Sequence, residues 1–240
     1  MLIEGKNAVR QSLESEMTIN KLMVDKNIAG RKDELVNLAA RHHIKVEFLP
    51  KAILDKKSQT GHHQGYIAEA VEFQYSNFSD ILDLANKREE APFVVLLDGI
   101  EDPHNFGAII RSCECAGVHG IIIPKNRACQ VNETVIRTST GAISNMLIAK
   151  VTNLKEAIDE LKENGVWVFA AEIGGQSIYK QKLDGPIGLV IGSEGDGIKP
   201  SIQNYCDGVL TLPLKGKVNS LNASVACGIV VFEVVRQRAF

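Results

Sequence analysis

Residues 188–233 read GLVIGSEGDGIKPSIQNYCDGVLTLPLKGKVNSLNASVACGIVVFE. Two apolar runs each end in a loop of small and polar residues. Leu189, Val190 and Ile191 lead into Gly192-Ser193-Glu194-Gly195-Asp196-Gly197, and Val209 to Leu212 lead into Pro213 and the run Asn219 to Ser224. In open α/β sheets the chemistry sits beyond the carboxyl ends of the strands, where loops converge. The stretch therefore reads as the floor of a site.

Working outward, residues from Phe93 onward alternate between strand and helix patterns. Strands are predicted at 93–97, 120–123, 146–151, 166–171, 188–191 and 208–212. Helices are predicted at 105–116, 132–138, 154–164, 200–205 and 220–238. Runs such as VVLL and GIII are apolar throughout, as parallel strands covered on both faces are. The last helix carries Val225, Ile229, Val230, Phe232 and Val235, so half of it is core or a subunit interface. Residues 1–72 read as α-β-α-β-α-β, a small α/β sandwich, with a cap at Asp33 and a closing strand at 65–71. Residues 73–90 read as a linker with its own helix, which Pro92 stops. The expected division is 1–72, a linker at 73–90, and 91–240.

At 240 residues, with 45% apolar and 23% charged residues, the chain has an ordinary globular composition. No apolar run reaches the roughly 18 residues of a membrane helix, and MLIEGKNAVRQSL lacks a secretory core. Five cysteines are an odd number without disulfide-framework spacing. A cytoplasmic protein with reduced thiols, and no membrane partner, is expected. The net charge of −2 announces no nucleic acid. Residues 1–75 carry 11 Lys and Arg against 10 Asp and Glu, and the remainder 16 against 19. A local stripe can still bind RNA. Four of the six histidines (42, 43, 62, 63) lie in the first part. His42 and His43 read as a solvated helix end. The segment Thr60 to Tyr66 reads either as a polar turn or as a loop that meets RNA.

The first strand of the larger part runs into Asp98 to Gly107. Asn105 reads as a cap for the helix that follows. Arg111, two turns in, is expected on the inward side near Ala108 and Cys115, where it needs Asp102, Glu194 or a ligand phosphate as partner. The small-residue loop Arg137 to Ala142, with Thr140 and Gly141, suits either a ligand or a helix cap. The loop at 192–197 is neither a phosphate loop nor a dinucleotide fingerprint. Glu194 stands where a phosphate-binding lysine would, which favours a ribose or adenosine group over a triphosphate. At 215–224, one cap would suffice for the next helix, yet polar residues accumulate. The surplus argues for a ligand. No metal site is expected, because Cys113 and Cys115 point to different helix faces and no second pair has zinc spacing.

Three motifs in order, DPHNFGAIIRSCECAG (102–117), LVIGSEGDGI (189–198) and LPLKGKVNSLNASVACGIVVFE (212–233), resemble the SpoU (TrmH) branch of the knotted RNA methyltransferases. GKNAV (5–9) and HHQGYIAEA (62–70) resemble the substrate-binding domain, similar to the ribosomal protein L30e fold, of members that 2′-O-methylate a guanosine in large-subunit ribosomal RNA. The resemblance implies an α/β fold: a SPOUT-type parallel sheet with a deep trefoil knot, plus the small N-terminal α/β domain. It implies S-adenosylmethionine as methyl donor, an RNA ribose as acceptor and a homodimer. It places Asn105, Arg111, Glu194, Ser220 and Asn222 at catalytic positions. Gly192, Leu212 and Leu221, with the segment around Thr140 and Gly141, fall at cofactor-binding positions. A transfer RNA methyltransferase and a ribosome-assembly factor without catalysis are the competing readings.

Overall fold

The computed structural model describes residues 2–14, 19–28, 33–70, 73–217 and 220–239. The chain divides into two compact units, Met1–Gln74 and Tyr75–Phe240.

The first unit runs β1 (Leu2–Glu4), α1 (Lys6–Glu14), β2 (Ile19–Asp25), α2 (Glu34–Arg41), β3 (Lys45–Leu49), α3 (Lys51–Lys57) and β4 (Tyr66–Ala70). Its sheet has the order β1-β4-β2-β3. β4 is antiparallel to both neighbours, while β2 and β3 are parallel. Strand β1 is additional to the expected order. Three residues hold no readable period, and β1 exists by pairing with β4, Leu2 opposite Glu69. The expected cap is present: Asp33 Oδ1 accepts from the N–H groups of Leu35 and Val36 at 3.0 and 3.1 Å. Its other oxygen accepts from the Tyr66 hydroxyl at 2.6 Å, which ties α2 to β4. The expected end of the closing strand, Val71, lies outside the described residues.

The second unit opens with α4 (Phe78–Lys87), then β5 (Phe93–Asp98), α5 (Pro103–Cys115), β6 (Gly120–Pro124), α6 (Glu133–Ser139), a 3-10 turn (Ala142–Asn145) and β7 (Leu147–Val151). It continues with α7 (Leu154–Glu163), β8 (Trp167–Ser177), a 3-10 turn (Ile178–Lys180), β9 (Ile187–Gly192), α8 (Pro200–Gln203), β10 (Gly208–Thr211) and α9 (Ala223–Ala239). The six strands pair in the order β10-β8-β9-β5-β6-β7, all parallel. All six residues of β5 are buried, as its unbroken apolar run requires. Helix α4, in the stretch read as a linker, belongs to this unit. Its Ile81 sits where a side chain at Gly120 of β6 would stand. The core on that side gathers Ile81, Leu96, Ile122, Ile158, Leu161 and Val190.

Strand β8 runs to Ser177, six residues past its expected end. The sequence EIGGQS carries no strand pattern. It becomes strand because β10, after a register shift between Val209 and Leu210, pairs again with Gln176 and Ser177. No helix among the described residues is long and apolar enough to cross a membrane.

Candidate active site

β9 and β5 are adjacent, with Gly192 opposite Asp98 at their carboxyl ends. Beyond Gly192 the chain folds back on itself. Ser193 and Gly197 exchange backbone hydrogen bonds of 3.2 and 3.1 Å. A Cβ at Gly192 would run into the Gly197 backbone, so only glycine permits the tight return. Two further ties hold the loop. The Glu172 carboxylate accepts from Ile198 N–H at 3.0 Å. Asp98, only 2% exposed, accepts from the Lys199 N–H at 2.9 Å and from its ammonium at 2.6 Å. Glu172, Asp98 and Lys199 were not among the expected site residues. Asp98 before Gly99 at a strand end was a usable signal, whereas Glu172 had none.

Glu194, on that loop, is the meeting point of three segments. Asn105 Nδ2 donates to its Oε1 at 2.9 Å. Asn222 Nδ2 donates to Asn105 Oδ1 at 2.9 Å and also to Glu194 Oε1. Ala223 N–H points at the same oxygen, 3.4 Å away. Asn222 Oδ1 is spent on capping α9, accepting from Ser224 N–H, the Ser224 hydroxyl and Val225 N–H. Asn105 does not cap α5 as expected. Asp102 does, accepting from His104 N–H at 2.7 Å, with Pro103 in the first turn. That leaves the Asn105 side chain free to reach Glu194.

A cavity of about 560 Å³ opens on one side of the loop. Gly192, Glu194, Leu212, Ser220 and Leu221 line it, as does Glu172. The structure thus gathers five expected site residues around one space. Thr140 and Gly141 do not line it. Both adopt left-handed backbone (φ 51° and 84°) where α6 turns into the 3-10 helix. That turn packs on α5, whereas the cavity lies between β8, β9 and the approach to α9. A second cavity of about 450 Å³ lies on the loop's other face, with Asn105, Glu194 and Asp98 in its wall.

Arg111 departs from expectation. The inward face of α5 is Phe106, Ile109, Ile110 and Cys113, and Arg111 is exposed, as is Cys115. Its Nη1 donates to Thr140 Oγ1 at 3.3 Å, and no acidic side chain pairs with it among the described residues. An exposed guanidinium held by a hydroxyl remains available to an external anion. Cys113 and Cys227 are free and buried against each other. Burial, reinforced by Cys227, pushes the Cys113 thiol well above its ordinary value. Among the described residues no group of three His, Cys, Asp or Glu is placed to hold a metal.

In the first unit, the loop 58–65 is tightly fixed. Glu4 accepts from the hydroxyls of Ser58 and Thr60 and from the N–H groups of Gln59 and Thr60, at 2.5 to 3.3 Å. Burial opposes its charge, yet these bonds bring its pKa down to about 2. His63 is buried. Its Nδ1 accepts from Gly65 N–H at 2.9 Å, so its Nε2–H donates to Asp55 at 2.8 Å. His62 is exposed.

Residues 92–232 match the model of the SpoU rRNA Methylase family. The chain belongs to that family. Residues 2–76 match a second SpoU model, RNA 2′-O ribose methyltransferase substrate binding. A Bacillus subtilis relative assigned to the TrmH family of tRNA/rRNA methyltransferases, YacO, is 40% identical over 237 residues, 98% of this chain and 94% of its own. Among solved structures, the SpoU methyltransferase AviRb of Streptomyces viridochromogenes, crystallised with AdoMet, superposes with a TM-score of 0.70 at 22% identity, covering 100% of this chain and 90% of that one. The A. aeolicus TrmH/SpoU tRNA modifying enzyme gives a TM-score of 0.57 at 29% identity, covering 66% and 83%. The parallel sheet of 93–211 is therefore the SPOUT-type sheet. The chain is an RNA methyltransferase of this family, and the residues around Glu194 sit where its second and third motifs meet.

Proposed function

We propose that this SpoU chain uses S-adenosylmethionine to methylate a ribose 2′-hydroxyl, that of a guanosine in large-subunit ribosomal RNA. The observation that carries the reading is the Asn105–Glu194–Asn222 network, whose Glu194 lines the 560 Å³ cavity. That cavity suits the donor. Leu212, Leu221, Ile191 and Val230 offer apolar walls for an adenine, Gly192 lets backbone come close, and Glu172 and Glu194 supply negative charge. Among the described residues no lysine lines it, as a triphosphate site would need. When bound, the donor supplies an electrophilic methyl on a sulfonium, so no metal is required.

The chain's own groups do the rest. Arg111 binds the phosphate next to the target ribose and orients it for in-line attack. Guanidinium stays protonated, so the hydroxyl proton leaves with help from that phosphate. Glu194 positions Asn105 and the third motif. Asn222, its carbonyl committed to α9 and its amide to Glu194 and Asn105, holds the loop, and Ser220 meets the ribose. The first unit brings the RNA, in line with its family match at 2–76. Val225, Ile229 and Phe232 of α9 are 49, 37 and 47% exposed at one-turn spacing, an apolar stripe that supports a homodimer.

Mapping 2′-O-methyl marks in RNA from a strain lacking the protein, by mass spectrometry, tests the target. The missing mark is expected on a guanosine of large-subunit ribosomal RNA. A missing mark in transfer RNA would instead favour the reading suggested by the A. aeolicus relative. Calorimetry with S-adenosylmethionine tests the chemistry: no heat at millimolar donor would leave an RNA-binding assembly factor.

A further inference from the structure

The reading above leaves the second cavity without an occupant. It shares Asn105 and the 193–197 loop with the reaction corner, and its volume of about 450 Å³ is that of a small-molecule site. A 2′-hydroxyl placed at Asn105 and Glu194 carries its base with it, and RNA bases are read after being splayed out of the strand.

The groups around the cavity are largely committed. Asp98 and Lys199 hold each other, Asp102 caps α5, and Glu194 serves Asn105 and Asn222. Glu101 and Arg127 line the same space and, like Asp196 on the 193–197 loop, have no side-chain partner among the described residues. Arg127 sits on the loop after β6, which Cys129 N–H stitches to Ile100 O at 2.7 Å. Five carboxylates (98, 101, 102, 194, 196) outnumber two cations (127, 199) in the wall. Such a wall repels a phosphate from its interior and welcomes a neutral group rich in N–H donors.

We propose that this cavity receives the base of the target nucleotide, with Glu101 reading its pairing edge and Arg127 holding the nucleotide's 5′ phosphate at the rim. The proposal rests on the methyl-transfer reading for its geometry, and it adds the residues that choose the base. Guanine alone presents an imino and an amino donor side by side, which one carboxylate accepts bidentately. Adenine, cytosine and uracil set one donor beside an acceptor on that edge. Glu101 therefore selects guanine, while Arg127 acts on any nucleotide alike.

Saturation-transfer NMR with millimolar GMP, AMP, CMP and UMP tests this on the full chain. GMP should give the strongest transfer. Glu101→Gln should weaken GMP binding about tenfold and leave the other three alone, and Arg127→Ala should weaken all four by a similar factor. Equal signals from the four nucleotides, or a GMP signal indifferent to Glu101→Gln, would overturn the proposal. Calorimetry with S-adenosylmethionine on the same samples separates the two ideas. Donor binding with no GMP preference sinks the base pocket alone. A Glu101-dependent GMP preference without donor binding supports the pocket and sinks the methyl-transfer reading.

Discussion

Asn105 and Glu194, 89 residues apart in the chain, are joined by a 2.9 Å hydrogen bond, and Asn222 bonds to both. One carboxylate oxygen thus faces three N–H donors from two other segments. Glu194→Ala should lower methyl transfer about 100-fold, because the reacting groups lose their common anchor. Glu194→Gln keeps an acceptor and should stay within about tenfold of wild type. Single-turnover kinetics on the unmethylated target RNA would read both, and a Glu194→Ala rate within about twofold of wild type would dismiss the anchoring role.

Gly192→Ala tests the fold-back of the loop. The added methyl meets the backbone of Gly197 and Ile198, which cannot swing aside as a side chain could. Overpacking should cost about 1–3 kcal/mol in urea unfolding. Affinity for S-adenosylmethionine should drop at least about tenfold, since the displaced backbone lines its cavity. Unchanged affinity would mean that the loop does not touch the donor.

Arg111→Lys keeps the charge and discards the planar fork. Phosphate orientation should suffer, with kcat/KM down by at least about tenfold and thermal stability unaltered, as Arg111 is exposed. Near-full activity in the lysine variant would remove Arg111 from the mechanism.

The loop 58–65 should loosen in acid. The Glu4 pKa is depressed from 4.5 to about 2 in the folded chain. Its contribution is therefore complete above about pH 4.5 and fades as the pH falls towards 2. The protection of the Gln59 and Thr60 amides, whose N–H groups Glu4 accepts, measured against the intrinsic exchange rate at each pH, should fall over that window and be low at every pH in Glu4→Gln. Protection that ignores both changes would show the loop to be held by other means.

Phe232→Glu places a charge in the exposed stripe of α9. Light scattering should find the proposed dimer for wild type and monomers for the variant, with the far-UV spectrum retained because the residue is 47% exposed. A variant that stays dimeric would move the interface elsewhere.

Much of this was legible in residues 91–240 alone. β5, β6 and β9 are unbroken apolar runs, and a strand covered on both faces leaves that mark. Strand β1 and the end of β8 were illegible because each is strand only by virtue of a partner far along the chain. The face of Arg111 was misjudged from its spacing to Ala108 and Cys115. Ile109, Ile110 and Cys113 claim the inward side, and Cys115 is exposed. Asn105 was assigned a cap that Asp102 already provides. Candidate residues could be named from motif likeness. Their meeting could not, since contacts such as Asn222 to Asn105 span 117 residues.

The loop from Ser193 to Gly197 is one partition with a cavity on each face. Its Glu194 is tied to Asn105 and Asn222, and the residues just after it to Glu172 and Asp98. Any free energy that an occupant of one chamber transmits through it is returned in equal measure by an occupant of the other. If donor tightens RNA tenfold, RNA tightens donor tenfold, and the methylated product and spent donor affect one another by one shared factor.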